Sequence, residues 1–114
     1  MISKDITKQI EKIIEKRGEG IIKTYIQLSD EQESSKGIIR TCFFRCEKEM
    51  RNESIKRHNY KLILKIDSFW KEFVVELYSV TKKSVEKIHF SKSETERDMW
   101  NDVDKIIKLA IDLM

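Results

Sequence analysis

The sequence predicts an α+β fold: a two-layer sandwich in the order α-β-β-β-β-β-α, with N- and C-terminal helices on one face of a mainly antiparallel sheet. Three observations predict it. Apolar residues recur at helical spacing at both ends of the chain, as Ile2, Ile6, Ile10, Ile13 and Ile14, and again from Met99 to Met114. Between them, Tyr60, Leu62, Leu64 and Ile66, then Phe73, Val75 and Leu77, alternate with the period of two of half-buried strands. Proline is absent and glycine occurs three times in 114 residues, so no linker interrupts the chain. A single domain over 1–114 is expected, large enough to bury a core.

The first helix is predicted over 3–17. Ser3 is its expected cap, Lys16 and Arg17 suit the dipole in its last turn, and Gly18 can end it. Gly20 to Leu28 reads as a strand. The polar run Ser29–Gly37 reads as a loop, and Ile38 to Cys46 as the second strand. Glu47 to Asn59 shows neither period and is expected to be extended strand ends around a mobile loop.

Parity predicts the register of the meander from Tyr60 to Phe90. Pairing Leu64 with Phe73 and Leu62 with Val75 also matches Lys65 with Glu72, Ile63 with Val74, and Lys61 with Glu76. The loop left over is Asp67-Ser68-Phe69-Trp70. Pairing Leu77 with Ile88, Val75 with Phe90, and Glu76 with His89 leaves Thr81–Ser84 as the next loop. The last helix is expected from Glu94 to Met114 under a capping box of Ser93 and Glu96. Its two neighbouring apolar stripes span a wider arc than one sheet face covers. The surplus is expected to meet the N-terminal helix or, alternatively, a second copy in a homodimer through the C-terminal helix.

Cys42 and Cys46 would share a strand face about 13 Å apart, too far for a disulfide, and read as buried free thiols. No apolar run reaches membrane-spanning length, and Ile2-Ser3-Lys4-Asp5 does not open a signal peptide. A cytoplasmic protein without membrane contact is the expectation.

Catalytic groups are scarce. His58 and His89 have no nucleophile motif around them, and Glu76 with His89 is an acid–base pair lacking anything to activate. The glycines form no phosphate loop, and the cysteine spacing does not suit zinc. No catalytic residue, metal or cofactor is expected.

Charge is more informative. Residues 36–65 carry nine Lys or Arg against three acids, net +6, while the whole chain is +3. Arg40, Arg45, Lys48, Arg51, Lys56, Arg57, Lys61 and Lys65 are therefore the residues expected to meet nucleic acid, if nucleic acid is the partner. The competing surface is the open sheet face, an apolar strip of Ile63, Val74 and Tyr78 rimmed by Lys61, Lys65, Glu72, Glu76 and Lys87. The hairpin tip Phe69-Trp70-Lys71 extends it. The leading expectation is a small non-enzymatic protein that acts through protein–protein contacts as a regulator or inhibitor, a profile that suits a phage or mobile-element product. Nucleic-acid binding through the basic region is the alternative.

Overall fold

A computed structural model of the chain describes residues 6–17, 21–34, 36–67, 69 and 71–114, with the backbone alone at 17, 21–25 and 27–34. Two helices flank five strands: α1 (Thr7–Arg17), β1 (Ile21–Ser34), β2 (Gly37–Glu49), β3 (Ile55–Asp67), β4 (Glu72–Val80), β5 (Val85–Ser93) and α2 (Glu96–Asp112). The strands form one sheet in chain order, and every neighbouring pair is antiparallel. Ser3, Gly18 and Trp70, expected respectively as a helix cap, a helix stop and a tip residue, lie outside the described residues.

Alternation along the strands creates two unlike faces. Cys42, Phe44, Cys46, Tyr60, Leu62, Leu64, Val75 and Leu77 turn to the inner face and are buried. Onto them pack Ile6, Ile10 and Ile14 of α1 with Met99, Val103, Ile106, Ile107, Ala110 and Ile111 of α2. Each such side chain contributes about 1.5–3 kcal/mol when fully buried. The wide apolar arc of α2 is thereby covered within the chain, by α1 as well as by the sheet. Only Leu109 and Leu113, 54% and 82% exposed, stand out from it.

The register differs from the parity reading in instructive ways. In β3–β4, Leu62 faces Leu77 and Leu64 faces Val75, two residues away from the expected pairing. Such a slip preserves every face, which is why alternation alone does not detect it. The connection becomes 68–71, with Lys71 in the left-handed region at φ 52° and the Asp67 carboxylate accepting the Phe69 amide at 2.9 Å.

In β4–β5 the Thr81–Ser84 loop is as expected, closed by Thr81 N donating to Ser84 O at 2.9 Å. A bulge then intervenes. Tyr78 faces Lys87, but Leu77 faces His89, so Ile88 is the extra residue. The bulge reverses the rest of β5. Ile88 and Phe90, expected in the core, are 45% and 48% exposed, and Phe90 faces Glu76 on the outer side. A bulge and three lysine or histidine side chains on this edge strand also oppose edge-to-edge aggregation.

The segment expected as the Ser29–Gly37 loop is largely strand, and the one expected as strand ends around a loop proves mostly ladder. Glu31 to Ser34 pair with Arg40 to Gly37, so the β1–β2 ladder runs as far as the Ser34–Gly37 pair. Gly37 is required there. Its φ is 152°, and a Cβ would collide with the Ile66 carbonyl of β3. Glu47 to Asn59 is also mostly ladder. Its turn is just 50–54, closed by Met50 N donating to Ser54 O at 2.8 Å and by Asn52 Oδ1 accepting from Ser54 N at 3.1 Å. Glu53 takes the left-handed position, φ 64°.

α2 begins two residues later than the expected box. Thr95 caps it by accepting the Asp98 amide at 3.1 Å, with Glu96 and Asp98 in the first turn. Its last turn holds no basic residue; the sheet supplies the cations instead. Lys48 and Lys56 sit directly opposite each other on β2 and β3, an unfavourable like-charge pair in isolation. Their ammonium groups donate to the oxygens of Ile111 at 3.2 Å and Met114 at 2.9 Å, and Tyr60 donates its hydroxyl to Ala110 O at 3.2 Å. Three side chains of the sheet thus satisfy carbonyls that the helix end leaves open.

Candidate functional site

The outer face of the sheet is the candidate surface, because both helices lie on the inner one. Its side chains fall into cross-strand rows. One row runs Phe43, Lys61, Tyr78, Lys87 across β2 to β5. The next runs Thr41, Ile63, Glu76, Phe90, and the third Ile39, Lys65, Val74, Lys92.

The first row alternates aromatic rings and ammonium groups. Lys61 Nζ lies 5.9 Å from the Phe43 ring centroid and 5.5 Å from that of Tyr78. Lys87 Nζ stands 5.8 Å from Tyr78 and 5.3 Å from Phe90, and Lys92 Nζ 5.8 Å from Phe90. These are cation–π distances, each worth about 0.5–1 kcal/mol at an exposed site. Phe43 is 37% exposed, so its ring, like that of Phe90, remains reachable from solvent.

Glu76 sits at the centre, 4% exposed. Lys65 and Lys87 each approach one of its carboxylate oxygens at 2.7 Å, and Tyr78 donates its hydroxyl to it at 3.2 Å. Burial pushes its pKa up, but the two lysines outweigh burial and hold it below the ordinary carboxylate value. The same contact raises Lys87. The expected pairing of Glu76 with His89 is not formed: the bulge turns His89 to the inner side, opposite Leu77.

Of the residues expected to bind a protein, Ile63, Val74 and Tyr78 are together on this face and half-buried. Phe69 is 86% exposed at the hairpin tip, beside exposed Lys71. Phe43, Phe90 and Lys92 escaped the sequence reading. Phe43 was visible as the odd member between Cys42 and Phe44; Phe90 and Lys92 were hidden by the bulge.

The basic region is taken apart by the same alternation. Arg40 is 1% exposed on the inner side, with Nη1 3.5 Å from Ile39 O. Lys48 and Lys56 hold the end of α2, Arg57 pairs with Glu47 at 2.8 Å, and Lys65 pairs with Glu76. Arg51 is exposed in the 50–54 turn. Arg45 and Lys61 remain on the outer face. Arg45 shares with Phe43, Phe44, Asn59, Tyr60, Val80 and Ile26 the lining of a hollow of about 560 Å³.

The inner face carries further titratable groups. Cys42 and Cys46 are free and buried, and burial pushes the Cys46 thiol up to about 11. Such a thiol stays protonated and is a poor nucleophile at neutral pH. Tyr60 is pushed up to about 12 by burial, with Cys46 adding to it. His58 Nε2 is 2.7 Å from Ser79 Oγ, and burial and Lys56 lower its pKa. Among the described residues no group of three or more His, Cys, Asp or Glu could hold a metal ion, and no helix is long and apolar enough to cross a membrane.

Compared with known proteins, the chain matches no protein family, no curated relative and no solved structure.

Proposed function

We propose that the chain is a small non-enzymatic binding protein, a regulator or inhibitor that docks another protein on the outer face of its sheet. One observation carries this reading: the face free of helices presents an apolar centre of Ile63, Val74, Tyr78, Phe43 and Phe90, fringed by lysines. An apolar core within a charged rim is the anatomy of a protein interface. Large rings flanked by long cationic stems are the side chains that dominate such interfaces. Phe69, at the tip of the β3–β4 hairpin, gives the partner a protruding anchor.

Capture from nuclease-treated extract of the source cell tests it. A stoichiometric protein partner is expected with the wild type and lost with Phe43→Ala/Phe90→Ala, whose truncations spare the core. Capture that persists undiminished in that variant contradicts the reading.

Single-stranded nucleic acid on the same face is the second reading. Rings beside lysines favour it, since bases stack on rings and ammonium groups meet phosphate. The aliphatic centre offers no stacking and counts against it. A gel shift that weakens steeply with salt is its signature.

A further inference from the structure

We infer that the partner's contact surface is acidic, and that the ammonium groups of Lys61 and Lys92 are the points that receive its carboxylates. The inference rests on the outer face being the docking surface, and it names the chemistry that fits there. Three observations on the face lead to it.

The three central rows hold four lysines, Lys61, Lys65, Lys87 and Lys92, and one acid, Glu76. Glu76 is fully used: its two oxygens are held by Lys65 and Lys87 at 2.7 Å. Lys61 and Lys92 make no ion pair among the described residues; Lys61 is held over two aromatic rings and Lys92 over one. Rings keep these ammonium groups in place without neutralising them, so their charge is available to a partner.

The face also displays the chemistry it would recognise. Glu76 is a carboxylate bound between two lysines with a tyrosine hydroxyl as third donor. An incoming Asp or Glu at Lys61 or Lys92 would meet an ammonium group beside an aromatic ring, with no internal acid to displace among the described residues.

Complementarity further selects among occupants. A second copy laid face to face would set lysine rows against lysine rows, which opposes a symmetric dimer through this surface. Nucleic acid would match the charge but leave Ile39, Ile63 and Val74 without a stacking partner. An acidic segment with interleaved apolar side chains matches both.

The experiment is selection of a random 12-residue peptide library displayed on phage against the wild-type protein. Selected peptides are then synthesised and titrated by calorimetry at two salt concentrations. Peptides enriched in Asp and Glu, with affinity falling as salt rises, are expected. Lys61→Glu/Lys92→Glu should weaken them about tenfold or more. Lys82→Glu/Lys83→Glu, the same charge change in the exposed β4–β5 turn, should leave them within about twofold. Circular dichroism melts verify the fold, and Lys61→Gln/Lys92→Gln repeats the test should charge reversal unfold the chain.

Peptides that bind this face without acidic enrichment overturn the inference while leaving the docking surface standing. Peptides whose binding is equally weakened by the β4–β5 turn variant overturn it as mere net-charge attraction. A selection yielding no peptide sensitive to Phe43→Ala/Phe90→Ala overturns both. Thymidine dodecanucleotide binding tighter than every peptide replaces it with the nucleic-acid reading.

Discussion

The two faces of the sheet are written by the same strands in alternate letters, yet they do different work. On β3, Leu62 and Leu64 are fully buried beneath the helices, while Lys61, Ile63 and Lys65 between them are half-buried on the outer side. The inner face is dry and mostly apolar, with Arg40 buried in it and the polar groups that clamp α2 gathered at one edge. The outer face keeps its apolar side chains under lysine stems, and its single central acid is neutralised by two cations. The first arrangement supplies stability. The second spends little on stability and leaves rings and charge available.

The largest effect should separate the faces directly. Leu62→Ala or Leu64→Ala should cost about 2–5 kcal/mol, as buried leucines do. Ile63→Ala, between them in sequence, should cost under about 1.5 kcal/mol because its site is already half in water. Urea unfolding monitored by tryptophan fluorescence measures both. Equal costs would mean the outer face is covered in solution.

Gly37→Ala comes next. The positive φ and the collision with the Ile66 carbonyl predict a loss of more than about 1 kcal/mol, read as a lower urea midpoint. Smaller again is the clamp on α2. Tyr60→Phe should cost about 1 kcal/mol, and Lys48→Ala or Lys56→Ala about 0.3–1 kcal/mol each. Because the two lysines repel across the ladder, each single variant also relieves that repulsion, and the double variant should cost more than the sum of the singles.

The pH dependence is the subtlest contrast. On the outer face Glu76 is held below its ordinary value of 4.5, so its contribution is present above that pH and lost as pH falls through the depressed value. Glu76→Gln should flatten the acid limb of a stability–pH profile. On the inner face His58 is lowered from 6.5 and is kept neutral when folded. Its contribution is therefore lost as pH falls below that value, and His58→Gln should remove the step. Cys46, pushed up to about 11, acts at the other end: stability should decline as pH rises above 9.0, where the unfolded thiol ionises first.

Much of the inner face was legible because period two and period three-to-four patterns both point into one core. Leu62, Leu64, Val75 and Leu77 were placed correctly without their register, since a two-residue slip changes partners and not faces. The polar stretch Glu31–Ser34 was not legible as strand, because what makes it strand is pairing with Gly37 to Arg40 and not any pattern of its own. The bulge at Ile88 was invisible for a related reason: one extra residue reverses the meaning of every later position in β5. The basic run misled because strand alternation sends its members to opposite faces, where most find partners within the chain. The ring–ammonium row, finally, joins residues from four strands, and only the cross-strand register brings them together.

The most direct test is a lysine-acetylation footprint of the captured complex against the free protein, read by mass spectrometry. Lys61, Lys87 and Lys92 on the outer face should lose reactivity when the partner is bound, while Lys105 and Lys108 on exposed positions of α2 keep theirs. Protection of Lys105 and Lys108 with unchanged outer-face lysines would contradict the assignment of the open sheet face as the working surface.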